Sequence, residues 1–268
     1  MTLFKNIYIF DLYQYFILLR HPLPCRYTLA GDNSMFREPM TSTEEKGNLA
    51  DAAYGRLKRD ITEGHFTPGD KLLMSSLKAR YEIGAGPMRE ALSRLVAERL
   101  VTAESQKGFR VAPMSVAQLQ DLYYARAQLE ALVTELAVQK GGDNWEAGII
   151  AAAHTLSRVT QVQSAEEMLS VWDSRHKAFH NAIAAGCGSD KLMELRSTML
   201  DQVERYRQLW LRETVFSTDA LALKRDEHKD LVTVLLSGDS QQARAMMFDH
   251  MMTPVPIITE ILRARGLV

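Results

Sequence analysis

His176 and His180 stand four residues apart in WDSRHKAFHNAI, so a helix there sets both imidazoles on one face. His228, in KRDEHKDL, and His250, in MMFDHMM, fall on two later stretches of helical pattern. Three converging helices can bring these four rings round one divalent cation, and imidazole suits zinc, nickel, copper or iron. An i, i+4 histidine pair is also a common surface feature, so spacing alone leaves both readings open. A second group of residues is cationic. Arg89 and Arg94, in PMREALSRLVAERLV, lie five residues apart and diverge by about 140° on a helix. Arg89, in the first turn, is the better placed to reach a base edge, where a bidentate arginine–guanine contact gives about 1–3 kcal/mol of discrimination. Lys78, Arg80, Arg94 and Lys107 are candidates for phosphate contacts, which position a protein without specifying a sequence. Gly86, ahead of Arg89, and Gly108, beside Lys107, are counted with this DNA-facing set. The competing reading of Arg89 is an ion pair with Glu90, Glu98 or a neighbouring domain.

The elements that must position these residues are set by hydrophobic period. From Leu49 onward Ala50, Ala53, Tyr54, Leu57 and Ile61 recur at helical spacing, with Lys58, Arg59 and Asp60 off that face. Gly64 ends this helix, and residues 67–70 form a turn. A short helix over about 75–81 turns Leu77 and Tyr81 inward. Gly84-Ala85-Gly86-Pro87 reads as a tight turn with Pro87 at the first helical position, where its missing N–H costs nothing. The next helix buries Met88, Ala91, Leu92 and Leu95. After Leu100 the period falls to 2: Val101 and Ala103, then Phe109 and Val111, flank residues 105–108 as a hairpin with Lys107 at its tip. Helix, helix, turn, helix and wing is the order of a winged helix-turn-helix, which lays its last helix in the DNA major groove. Beyond a short linker, helical patterns over about 115–140, 144–160, 164–186, 189–213, 217–237, 239–251 and 254–265 describe a compact all-α domain. The fold class is mainly α: a winged helix-turn-helix over 46–113 and a helical bundle over 114–268.

Hydrophobic residues make up 46% of the chain and charged residues 24%, the composition of a globular protein. Two cysteines, Cys25 and Cys187, are too few for a disulfide framework and point to a reducing, cytoplasmic compartment. The net charge of −1 conceals an asymmetry: residues 46–113 carry 12 Lys+Arg against 8 Asp+Glu, and residues 114–268 carry 16 against 20. A basic module before an acidic one suits a DNA-binding domain with a separate effector domain. Residues 1–45 stand apart. The 13 residues IYIFDLYQYFILL, after Lys5, have the outline of a signal peptide, but Asp11 and Gln14 interrupt them and no small-x-small site comes after them. They are too few to cross a bilayer. With Met35 and Met40 just ahead of the globular pattern, the segment reads as a disordered leader or an over-called start, and no membrane association is expected.

PGDKL, REALSRLVAERLV and KGFRVAPM closely resemble the DNA-binding domain of GntR-type regulators. The helical part resembles the FCD domain of the FadR subfamily, and together the likeness covers residues 47 to about 262. Within that family GAGPMREALSRLVAERLV and WDSRHKAFHNAI are most similar to a subgroup of repressors that sense glutarate. The resemblance implies a homodimer on a double-stranded DNA operator. It also implies a divalent metal, zinc, nickel or similar, held through Asp-x-x-x-His on one helix and two later histidines. His180, His228 and His250 match the three histidine positions, and His176 stands where the aspartate is usual. Asp173, one turn earlier, becomes a compensating ligand or an orienting partner. Open metal positions suit a small carboxylate effector such as glutarate, and the family's R..LE pattern makes Arg126 the first choice for a second carboxylate. The competing reading of Arg126 is a pair with Glu130 at i+4. Arg205, Arg207 and Arg212 are weaker candidates, because RYRQLWLR also reads as a solvated face, and Trp172, Trp210 and Tyr206 read as core. The chain departs from the family where relatives place Ser-Arg before the recognition helix. Here those positions are Gly84 and Ala85, so the base-reading arginine of that corner is absent while Arg89 is retained. A metal-dependent hydrolase with an accessory DNA-binding domain is the rival reading, but no HExxH helix and no Ser/His/Asp or Cys/His order stands out.

Overall fold

The computed structural model describes residues 42–267, so the expectation for the leader lies outside the described residues except at 42–45, which already belong to the first helix. Helix α1 (Ser42–Thr62) turns Ala50, Ala53, Leu57 and Ile61 into the core at helical spacing. Strand β1 (Lys71–Leu72), α2 (Met74–Tyr81), α3 (Ala85–Ala97) and the hairpin of β2 (Val101–Glu104) and β3 (Gly108–Val111) come next. β3 is the middle of a three-stranded antiparallel sheet, where Arg110 lies opposite Lys71 on one side and Thr102 on the other. Strand β1 has no signature in the sequence. Two residues carry no period, and only pairing with β3 makes them a strand.

The turn before α3 also lies earlier than its glycines suggest. Glu82 takes the left-handed backbone at φ 59°, Gly84 stands at the helix N-cap, and Pro87 is third in the helix rather than first. Proline is tolerated there because the first four N–H groups of a helix have no acceptor within it. Met88, Ala91, Leu92 and Leu95 then close the core of this module together with Leu57, Leu77, Tyr81 and Val101.

The helical domain comprises α4 (Val116–Lys140), α5 (Asp143–Ser157), α6 (Ala165–Glu167), α7 (Ser174–Ala184), α8 (Asp190–Glu213), α9 (Thr218–Leu236), α10 (Ser240–Met252) and α11 (Val255–Ala264). Side-chain oxygens of Ser115, Ser164, Ser189, Ser217 and Asp239 accept backbone N–H bonds at five of the N-termini. The sequence pattern reads α6 and α7 as one helix. Between them Met168–Asp173 winds as a π-helix, a wider turn found mostly at functional sites, and it brings the buried Trp172 and Asp173 in just ahead of His176. The far end of α7 is pinned by Trp145, whose indole N–H donates to the Ile183 carbonyl at 2.9 Å. A Cβ on Gly186 would fall 2.6 Å from that indole nitrogen, so the close approach needs glycine.

Helix α8 reaches both halves of the chain. Lys58 of α1 donates to Asp201 at 2.6 Å, and it also meets Glu98 at 3.0 Å and the Tyr54 hydroxyl at 2.9 Å. One turn on, Arg205 donates to the linker carbonyl of Ala112, and burial brings its guanidinium pKa down to about 10. No described helix is long and apolar enough to cross a membrane.

Candidate DNA face and histidine centre

The buried face of α3 fixes the opposite one. Arg89, Glu90, Ser93 and Arg94 stand exposed along it. Among the described residues Arg89 makes no ion pair, and neither do Lys78 on α2 and Lys107 at the wing tip, both exposed. Glu90 and Glu98 do not capture Arg89. Glu98 is engaged by Lys58 and Tyr54 instead. Gly86 is exposed in the first turn of α3 with nothing within 4 Å of where a Cβ would stand, so packing does not demand glycine there. Gly108 has φ 92°, a direction that a side chain resists, and it turns the chain back into β3. Arg80 and Arg94 are already engaged. Arg80 pairs with Asp60 at 2.7 Å, and Arg94 pairs with Asp51 at 2.5 Å while lying 3.9 Å over the Tyr54 ring. Exposed pairs of this kind are worth about 0–1 kcal/mol, so a phosphate competes with them readily.

In the other half α7 supplies His176 and His180, α9 supplies His228 and α10 supplies His250. One ring nitrogen of each lies within 4.8 Å of all the others. His180 Nε2 is 3.2 Å from both His176 Nε2 and His250 Nε2. Burial, then the neighbouring rings and guanidinium groups, pushes His176, His180 and His250 well below the usual imidazole range. Burial, reinforced by the Lys224 charge, brings His228 to about 4. Neutral rings therefore converge on one point. Zinc–imidazole bonds of about 2.0–2.1 Å set tetrahedral ligand atoms about 3.3 Å apart. The 3.2 Å between His180 Nε2 and His250 Nε2 fits that spacing. His228 Nε2 is buried with no hydrogen-bond partner, an orphan that a cation satisfies. The donor set fits a divalent metal.

Arg207 of α8 reaches this centre. It donates to Asp173 Oδ1 through Nε at 2.6 Å and through Nη2, and its Nη2 lies 3.0 Å from His176 Nδ1. Asp173 Oδ2 takes Lys177 at 2.7 Å. Burial opposes the charge on Arg207, but the Asp173 carboxylate outweighs it and holds the guanidinium pKa up. RYRQLWLR is therefore not a solvated face: Arg205, Arg207 and Trp210 are all buried, and only Arg212 of its three arginines is exposed. Asp173 orients Arg207 and is not one of the converging ligands. Arg126 is also buried. Its Nε lies 3.6 Å from Glu130 Oε1 and has no hydrogen-bond partner, while the other Glu130 oxygen receives Arg196 at 2.8 Å. The i+4 pair exists but leaves Arg126 under-satisfied, on a narrow cleft that His176, Arg207, Lys224 and His250 also line. Trp172, Trp210 and Tyr206 are buried as core readings require, and the two tryptophans wall the same cleft.

The spacing of Asp173, His176, Lys177 and His180 at i, i+3, i+4 and i+7 signals one helix face. The sequence offers Arg207 only as a weaker carboxylate candidate, and nothing in it signals the partners, which lie 31 and 34 residues away. The carboxylates nearest the centre are engaged: Asp173 is held by Arg207 and Lys177, and Glu227, beside His250, pairs with Lys224.

A winged helix-turn-helix with outward-facing cations, joined to an all-helical domain with a buried polar centre, defines a two-domain DNA-binding regulator. The chain belongs to the GntR family: residues 49–111 match the bacterial regulatory proteins of the gntR family, and residues 121–253 match the FCD domain. It is 49% identical over 209 residues to the HTH-type transcriptional repressor GlaR of Escherichia coli (strain K12), covering 78% of this chain and 95% of that one. It is 30% identical over 239 residues to the uncharacterized HTH-type transcriptional regulator BphR of Paraburkholderia xenovorans (strain LB400), covering 88% and 96%. The solved structure of E. coli McbR/YncC shares the fold, with a TM-score of 0.64 at 20% identity over 79% of this chain and 97% of that one.

Proposed function

We propose that this chain is a cytoplasmic, homodimeric transcriptional repressor that holds a double-stranded operator through its winged helices. A small carboxylate such as glutarate binds at the histidine centre and releases it. The relative named as a transcriptional repressor, at 49% identity, supports the sign of regulation. Arg89 reads a base edge, and Lys78, Arg80, Arg94 and Lys107 meet phosphates. Gly86 and Gly108 allow close backbone approach. One recognition helix covers few base pairs, and a two-fold pair doubles the reading.

The observation that carries the effector half is a concentration of orphans. Arg126 Nε, Trp210 Nε1 and His228 Nε2 are buried without partners round one centre, and an incoming ligand and metal satisfy them. A divalent ion such as zinc or nickel in the cluster of His176, His180, His228 and His250 supplies a Lewis-acidic position for one carboxylate. Arg126 takes the other, because Arg207 is already filled by Asp173. Release is a population shift toward an arrangement of winged helices that no longer matches the operator. Helix α8, which touches His176 through Arg207 and α1 through Asp201, links the two halves.

The test is a mobility-shift titration on the chain's own upstream DNA, with and without glutarate, before and after chelation. A shift that glutarate reverses, and that chelation makes insensitive to glutarate, is the expected result. No shift on any DNA tested sinks the repressor, and a shift that ignores glutarate removes the effector alone.

A further inference from the structure

The four histidines are not equivalent, because their outward ring nitrogens meet opposite chemistry. A histidine that ligates through one nitrogen carries its proton on the other, and that N–H is normally given to a carbonyl or a carboxylate. His228 meets this requirement. Its Nε2 has no partner, and the ring bonds to the backbone carbonyl of Lys224, which leaves Nδ1 as the donor and Nε2 as a bare lone pair. His250 turns Nε2 toward His180 at 3.2 Å, and the nearest carboxylate to its Nδ1 is Glu227 at 3.9 Å, beyond hydrogen-bond reach. His180 Nδ1 is buried with no partner, and its Nε2 lies at the middle of the cluster.

His176 is reversed. Its Nδ1 lies 3.0 Å from Arg207 Nη2, and a guanidinium has donors only. Nδ1 must accept, so the proton of His176 sits on Nε2, the atom that points at His180 3.2 Å away. For Nε2 to ligate, that proton would have to move to Nδ1 and oppose an arginine N–H. Arg207 cannot turn aside freely, since Asp173 holds it through two nitrogens and both side chains are buried.

The family resemblance already points to His180, His228 and His250 as metal ligands; we infer that His176, the fourth member of the cluster proposed above, is a positioning residue whose Nε2–H, fixed by Arg207 and Asp173, donates into the site instead of ligating. This rests on the metal reading proposed above. A neutral three-histidine face leaves the charge of the ion uncompensated, and an N–H directed into the site offers a hydrogen bond to an anionic oxygen that arrives there. The chemistry recognised is a carboxylate, bound jointly by the ion and by His176.

Two measurements test this on the full-length chain. Nitrogen NMR of the histidine rings in metal-free wild-type protein is expected to show His176 protonated at Nε2 and His228 at Nδ1. A His176 ring protonated at Nδ1 overturns the inference without any variant having to fold. Competition of zinc against a chromophoric chelator, with cobalt(II) visible spectra, gives the second readout. His176→Asn is expected to weaken the metal by no more than about 10- to 100-fold and to keep the wild-type cobalt spectrum, as expected for a residue outside the ligand set. His180→Asn, His228→Asn and His250→Asn are each expected to lose more than about 100-fold and to change the spectrum. Equal losses in all four variants, each folded by circular dichroism, overturn the assignment of His176 alone. A wild-type chain that takes up neither ion overturns the metal reading and this assignment with it.

Discussion

Arg89 stands in water without an ion pair, whereas Arg207 is buried and tied to Asp173 and His176. The contrast extends across both halves. In the winged helix Arg80, Arg89 and Arg94 are exposed, and the two that pair do so with partly or fully exposed carboxylates. In the helical domain Arg126, Arg196, Arg205 and Arg207 are each less than a tenth exposed. A solvated guanidinium waits for a phosphate at little cost, because water satisfies it meanwhile. A buried one must be satisfied by the protein or by a ligand, since an unpaired buried charge costs several kcal/mol. Arg196, Arg205 and Arg207 have hydrogen-bond partners, and Arg126 alone of the four is left with an orphan buried nitrogen. On the function proposed above, the DNA face is ready before its ligand arrives, and the histidine centre is incomplete until one does.

The comparison can be broken most forcefully by acid. In metal-stripped protein the histidines of the centre hold folded pKa values below the unfolded value of 6.5, with His228 at about 4. The unfolded chain then binds more protons, so their contribution is intact above pH 6.5 and is lost as pH falls toward 4. His228 by itself accounts for on the order of 3 kcal/mol. Urea unfolding at several pH values should show this slope, and His228→Asn should flatten it. A flat profile from pH 6.5 to 4.5 contradicts the buried neutral centre.

Asp173→Ala, which leaves Arg207 buried without its carboxylate, is expected to cost about 3–5 kcal/mol. Adding Arg207→Met should recover most of that loss. If the double variant is no more stable than the single one, the pair is not the buried charge couple described. Arg89→Ala should leave thermal unfolding within about 0.5 kcal/mol of wild type while removing about 1–3 kcal/mol of preference for the operator over scrambled DNA. An undiminished preference in fluorescence anisotropy would move base reading elsewhere on the chain.

The smallest effect on stability is expected at the bridge between the halves. Lys58→Met breaks the contacts to Asp201 and Glu98, which are partly exposed and together worth about 0–1 kcal/mol. Its larger consequence should be on coupling, with the glutarate midpoint for DNA release shifted roughly 2- to 30-fold. An unchanged midpoint would show that α8 does not carry the signal through this contact.

Much of the fold is legible in the residues. Ala50, Ala53, Leu57 and Ile61 announce α1 because burial of one helical face is a local pattern; the wing's strands form where the period-2 residues place them, but only Val101 and Val111 are buried, while Ala103 is exposed and Phe109 half-buried. The four histidines can be singled out by spacing and by resemblance. The π-helical turn at Met168–Asp173 is not legible, because it keeps the apolar spacing of an ordinary helix while rotating His176 and the rest of α7 relative to α6. Nor is the engagement of Arg80 and Arg94 by Asp60 and Asp51, 20 and 43 residues away.

The sequence by itself determined the order of the elements, the basic recognition helix and the histidine complement, since each depends on residues close together along the chain. Only the tertiary structure decided which charges are free and which are held. Arg89 and Arg207 look alike in sequence, and what separates them is the company folding brings: solvent for one, and for the other Asp173 and His176 from outside its own helix. The tautomer inferred for His176 rests on that long-range contact, because the arginine next to a ring nitrogen decides where the proton must lie.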